Sequence, residues 1–222
     1  MALEAARATL SNALRLYVLT DRQLAGGRSE AEVVRAALAG GATAIQLRWK
    51  TGPLREALTV GRELRELCRA AGVLFVVNDR IDLALALEAD GVHIGEHDLP
   101  LPETRALVGE RMLVGYSPPT LVEAIQAARL GADYLGIGPV FSTRTKVDAG
   151  EPVGLKRIRE VAETVTLPLV GIGGIDAENA ASVIEAGADG VAVISAVVAA
   201  PDIAAAAGHL RRVVDSALDL RP

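Results

Sequence analysis

The chain has 222 residues, half of them hydrophobic but only 3% aromatic, and its 23 Lys and Arg against 28 Asp and Glu leave a net charge of −5. That balance provides no basic footprint, which disfavours nucleic acid or an anionic membrane surface as partners. The single cysteine, Cys68, cannot form an internal disulfide, and Glu4 and Arg7 precede any apolar run long enough for a signal peptide or a membrane span, so a reducing, cytoplasmic setting is expected.

Residues 2–13 have helix-forming composition with no strand before them, which predicts an extra N-terminal helix covering one end of the fold. Leu16 to Leu19 is a first strand ending in Thr20-Asp21, and Ser29 with Glu32 three residues later forms a capping-box pattern that opens a helix stopping near Gly40-Gly41. From there a module recurs: Gly41-Ala42-Thr43, Ala89-Asp90-Gly91, Gly131-Ala132-Asp133 and Gly187-Ala188-Asp189, each turning a helix C-terminus into a strand. Between these, Val73 to Val77, Met112 to Gly115 and Leu167 to Gly171 read as apolar strands flanked by helical patterns, and Cys68 sits in the helical run Leu54 to Ala71 as a small buried hydrophobe. Eight strand-helix units with near-continuous apolar strands predict one α/β domain, a closed (β/α)8 barrel over residues 16–217, in a chain with no linker to divide it. A doubly wound nucleotide fold is the competitor, but Asp176 occupies the third glycine position of the only candidate fingerprint, Gly171-Ile172-Gly173-Gly174.

In a barrel the site lies at the carboxyl ends of the strands. Strand two delivers Gln46, Arg48 and Lys50 on one face, strand three Asn78 and Asp79, strand four Asp98, strand five Gly115 and Ser117, and strand eight Ile194 and Ser195. Asp79 and Asp98 can converge on a hard cation such as Mg²⁺, the plainer alternative being that each caps a helix or turn. Only three of the 23 basic residues are lysines, and two of them, Lys50 and Lys146, follow strand ends, where they can hold an anionic substrate; solvated surface lysines are the alternative. The glycines after strand seven and the hydroxyl of Ser195 suggest a phosphate cradle, although tight turns alone would also require glycine. Residues 139–153 show neither period and favour a mobile substrate loop. Two anionic groups, a diphosphate with Mg²⁺ and a monophosphate, satisfy this collection.

The motifs Tyr17-Val18-Leu19-Thr20-Asp21, Gln46-Leu47-Arg48-Trp49-Lys50, Asn78-Asp79-Arg80-Ile81-Asp82, Gly95-Glu96-His97-Asp98-Leu99-Pro100, Thr143-Arg144-Thr145-Lys146 and Gly171-Ile172-Gly173-Gly174-Ile175 resemble those of the thiamine-phosphate synthase family, a barrel family, over residues 17–198. The resemblance implies that Gln46, Leu47, Arg48, Trp49, Lys50, Asn78, Ser117 and Lys146 bind an aminopyrimidine diphosphate, with Arg48, Lys50 and Lys146 assisting the chemistry. It implies further that Asp79 and Asp98 hold Mg²⁺, and that Thr143, Arg144, Thr145, Gly174, Ile194 and Ser195 bind a thiazole phosphate. The expected reaction is condensation of these phosphorylated small molecules to thiamine phosphate and diphosphate, with no nucleophilic side chain; His93, His97 and His209 read as structural, and a homo-oligomer is compatible with the sequence. Trp49, Ser142 and Pro119 depart from the family pattern. Pro119 stands where a related thiazole tautomerase depends on histidine, so the synthase is favoured over that tautomerase and over a non-catalytic phosphate-ligand sensor.

Overall fold

The computed structural model of the chain describes residues 9–143, 145 and 150–221. Eight parallel strands, β1 (Leu16–Leu19), β2 (Ala44–Leu47), β3 (Leu74–Asn78), β4 (Gly91–Gly95), β5 (Leu113–Ser117), β6 (Tyr134–Ile137), β7 (Leu169–Ile172) and β8 (Gly190–Val193), pair in chain order and close when β8 pairs with β1. The connecting helices are α1 (Glu30–Ala39), α2 (Leu54–Ala71), α3 (Ile81–Ala86), α4 (Leu101–Val108), α5 (Leu121–Leu130), α6 (Gly154–Thr164), α7 (Ala180–Glu185) and the short α8 (Ser195–Val198), followed by α9 (Ile203–Asp219). The closed (β/α)8 barrel is thus present, with strand β7 beginning two residues later than its apolar run suggests. Its predicted start contains Pro168, which has no N–H to give to a ladder and only accepts, from Leu135 N at 2.9 Å.

Side-chain alternation divides the apolar residues into two cores. Outward-facing strand residues such as Val18, Ile45, Leu47, Phe75 and Val77 pack with the helices, and Cys68 lies fully buried among them, its thiol pushed up to about 12 chiefly by burial. Inward-facing Tyr17, Leu19, Ala44, Val76, Tyr134, Val170 and Ala192 fill the barrel itself. Residues 9–13 are helical, and Leu10 and Leu14 rest on this inner core, so the extra segment covers the amino-terminal mouth as expected; residues 1–8 of the predicted helix lie outside the described residues. Leu14 passes so close to the first residue of β8 that a methyl at Gly190 would overlap its carbonyl.

The recurring module has a structural meaning that its glycines alone do not reveal. The residue before each even-numbered strand clasps the preceding odd strand. Leu16 N donates to Thr43 Oγ1 at 2.9 Å, Phe75 N to Asp90 Oδ2 at 2.8 Å, Val114 N to Asp133 Oδ2 at 2.7 Å and Leu169 N to Asp189 Oδ2 at 2.9 Å. In return the backbone N–H of each clasping residue donates to the carbonyl of the residue it holds, at 2.9, 2.9, 2.8 and 2.7 Å. Four two-way clasps therefore satisfy backbone groups along the amino-terminal rim, leaving the opposite rim free to carry other side chains.

Candidate active site at the carboxyl ends of the strands

A cavity of about 440 Å³ opens at the carboxyl end of the barrel. Gln46, Arg48 and Lys50 share one face of β2 and its extension, and all three line the cavity. Leu47 and Trp49, which the resemblance groups with them, turn the other way, because successive side chains on an extended chain point to opposite faces. Leu47 is fully buried among helix-facing residues, and the Trp49 ring carries the Arg22 guanidinium 4.2 Å from its centroid. Their side chains consequently stand outside the cavity.

Arg48 is fixed before any ligand arrives. Asp21, at the end of β1, accepts from Arg48 Nη1 at 2.6 Å and from the backbone N–H groups of Gln23 and Leu24, while Thr20 Oγ1 accepts from Arg48 N at 3.1 Å. Lys50 is more exposed and its ammonium donates to Asp79 Oδ2 at 2.5 Å.

Asp79 occupies the sharp turn after β3 at φ 60°, a left-handed conformation uncommon for a residue other than glycine. It does not cap α3, whose N-cap is Arg80 with no side-chain cap bond. Asp98 does not cap α4 either; its Oδ2 accepts from Gly95 N at 2.8 Å and closes its own loop. The two carboxylates come within hydrogen-bonding reach of each other, and burial first, then the facing Asp79 charge, push the Asp98 carboxyl upward. Two like charges brought together beside one lysine form a donor set that suits a hard divalent cation, with substrate oxygens and water completing six ligands. No cluster of three or more His, Cys, Asp or Glu suited to a metal occurs among the described residues, so such an ion would depend on substrate oxygens.

On the far side of the cavity stand Thr143, Thr145, Gly174, Ile194 and Ser195. Gly173 and Gly174 take φ values of 94° and 67°, and a side chain at Gly174 would strike the backbone of Phe141 and Ser142, so close approach as well as turn geometry requires glycine here. Arg144 and Lys146 lie outside the described residues. Asn78 and Ser117 line the wall between the two groups.

Sequence reasoning missed one residue that lines the cavity. His93, read as structural, projects into the barrel and lines the cavity, with Nε2 2.9 Å from Ser117 Oγ and Nδ1 3.1 Å from Tyr134 Oη. Burial lowers its imidazole to about 4, so it is neutral. The signal was available: His93 alternates with Gly91 and Gly95 on β4, which places it on the inward face with the other strand-end groups.

The sequence model of the thiamine monophosphate synthase family matches residues 16–197. A thiamine-phosphate synthase from Moorella thermoacetica is 57% identical over 202 residues, which are 91% of this chain and 96% of the relative. A second, from Chloroflexus aurantiacus, is 53% identical over 90% of this chain and 92% of its own. Among solved structures, a thiamine phosphate pyrophosphorylase from Pyrococcus furiosus superposes with a TM-score of 0.88 at 46% identity, covering 94% of this chain and 99% of that one. With strand-end chemistry and sequence agreeing over nearly the whole barrel, the chain belongs to the thiamine monophosphate synthase family.

Proposed function

We propose that this cavity condenses 4-amino-2-methyl-5-(diphosphooxymethyl)pyrimidine with thiazole phosphate, the two substrates meeting between its cationic wall and its glycine-hydroxyl wall. The chain is a transferase of the thiamine-phosphate synthase type, and the relatives named above carry the synthase name, so neither the tautomerase nor the sensor reading is retained. In the reaction the C–O bond between the pyrimidine methylene and diphosphate breaks, its electron pair leaving with diphosphate. The thiazole nitrogen gives its lone pair to the methylene carbon, forming the C–N bond of thiamine phosphate.

The residues present suggest how each part is served. Arg48, held by Asp21, and Lys50 offer two positive charges where negative charge accumulates on the departing diphosphate, and preorganised charge such as that of Arg48 stabilises a transition state without reorganisation at the moment of reaction. Lys146 joins them by the resemblance. Asp79 and Asp98 would hold Mg²⁺, which when bound neutralises the leaving group. Gln46, Asn78 and Ser117 line the wall for the pyrimidine, and Thr143, Thr145, Gly174, Ile194 and Ser195, with Arg144, would take the thiazole phosphate through hydroxyl and backbone N–H groups. No side chain is needed as a nucleophile.

The observation that carries this reading is the convergence in one cavity of Arg48 and Lys50, the facing Asp79 and Asp98, and the separate Gly174-Ser195 wall. Steady-state kinetics with each substrate varied in turn tests it. Ser195→Ala should raise KM for the thiazole phosphate severalfold with little effect on KM for the pyrimidine diphosphate, and Lys50→Ala should act mainly through the pyrimidine diphosphate. Equal effects of either substitution on both substrates would refute two separate anion sites.

A further inference from the structure

The described interior holds a chain of polar groups larger than the reaction uses. Gln46 Nε2 donates to Tyr17 Oη at 2.7 Å, Tyr17 Oη meets Tyr134 Oη at 3.0 Å, Tyr134 Oη meets His93 Nδ1 at 3.1 Å, and His93 Nε2 meets Ser117 Oγ at 2.9 Å. Five residues from β2, β1, β6, β4 and β5 thus link hand to hand across the barrel axis. The sequence makes room for them. A methyl at Gly115 would overlap the Tyr134 ring and His93 Nδ1, and one at Gly136 would lie 3.0 Å from Ser117 Oγ and 3.1 Å from His93 Cε1.

With both phenol protons kept inside the chain, one end sets the direction of all the others. An amide nitrogen only donates, so Tyr17 accepts from Gln46 and its own O–H goes to Tyr134. Tyr134 then gives its O–H to His93 Nδ1. With Nδ1 accepting, a neutral imidazole carries its proton on Nε2 and donates it to Ser117 Oγ. Ser117, which lines the cavity, is then left with an O–H that has no acceptor in the chain. At the other end Gln46 Oε1 is buried without a partner, an acceptor awaiting a donor on the ligand.

We propose that Tyr17, Tyr134 and His93 are positioning residues: the directed chain holds His93 as its Nε2–H tautomer, so that Ser117 presents a hydrogen-bond donor and Gln46 an acceptor to one bound substrate. The ligand arm of this inference rests on the assignment of the cavity to the pyrimidine diphosphate; the tautomer arm does not. A site that fixes which of its groups donates and which accepts rejects a ligand of the opposite pattern, because the buried groups would then face each other unpaired.

The test is two-dimensional ¹⁵N–¹H spectroscopy of the imidazole nitrogens in the ligand-free, full-length protein at neutral pH, with the His93 signals assigned by their loss in His93→Gln. The expected result is a protonated Nε2 and a bare Nδ1. A protonated Nδ1 would mean that the chain runs in the reverse sense, and an imidazolium would mean that it does not exist; either overturns the proposal. Tyr134→Phe removes the donor to Nδ1 and should yield a mixture of tautomers, with KM for the pyrimidine diphosphate rising by about tenfold, the equivalent of one net hydrogen bond, and KM for the thiazole phosphate unchanged. Should Tyr134→Phe fail to fold, Tyr17→Phe, which frees Tyr134 either to donate to Nδ1 or to accept from it, should also admit the second tautomer. A single unchanged tautomer with unchanged KM in the folded variant refutes the positioning role. Because the tautomer is read without turnover, its outcome stays separate from any failure of the assigned reaction.

Discussion

At the scale of single residues, Asp79 concentrates the site's electrostatics. It sits in the left-handed region, pairs with Lys50 and faces Asp98. Asn tolerates that backbone better than most residues, so Asp79→Asn removes the charge and spares the turn. Its turnover should fall on the order of 100-fold, while Tm stays close to wild type because a half-exposed ion pair contributes little to stability; a large fall in Tm would reassign Asp79 to the fold. Trp49 is the opposite case. Its ring packs under Arg22, which in turn bonds Glu30 and Glu56, so it stiffens the edge beside Lys50 without lining the cavity. Trp49→Phe should keep most activity, and the wild-type emission should change on titration with Mg²⁺ and pyrophosphate; loss of activity in a folded variant would put the indole on the substrate. His93 supplies a pH dependence. Its ordinary value of 6.5 falls to about 4 in the fold, so between those values the unfolded chain binds a proton that the folded one refuses. Stability should fall as pH drops from about 6.5 toward 4, and His93→Gln should lose less Tm between pH 7.5 and pH 5 than wild type does. Equal losses would show that His93 is not responsible.

At the scale of elements, the sequence exposed most of the barrel, because strands buried on both faces read as unbroken apolar runs and the Ser29-Glu32 capping box forms as its spacing implies, with Ser29 Oγ accepting from Glu32 N at 3.2 Å. What it concealed was why the module repeats. The Gly-Ala pair marks a helix ending in turn chemistry, but the Asp or Thr beside it serves the neighbouring strand, a partner 15 to 27 residues away in sequence that no local pattern announces. Asp189→Ala should leave Leu169 N–H without its acceptor, costing about 1–3 kcal/mol and lowering Tm by several degrees, with both KM values unchanged. Unchanged stability in thermal denaturation would show that the clasp is dispensable.

For the molecule as a whole, the two ends of the barrel do different work: clasps and the N-terminal segment close one rim, and the other gathers cations, carboxylates and the glycine-hydroxyl wall around a cavity. Alternation along β2 was legible enough to separate Gln46, Arg48 and Lys50 from Leu47 and Trp49, since a period of two needs only the strand's direction. The links among Tyr17, Tyr134 and His93 were not, because they join residues up to 117 positions apart and depend on the closure of the sheet. The most direct measurement is product formation: purified protein, both substrates and Mg²⁺, with thiamine phosphate and diphosphate quantified together. The account predicts the two products in equal amounts, abolished by excess chelator and restored by added Mg²⁺. Absence of thiamine phosphate from folded protein with both substrates and Mg²⁺ present, or full activity in chelator, would contradict it.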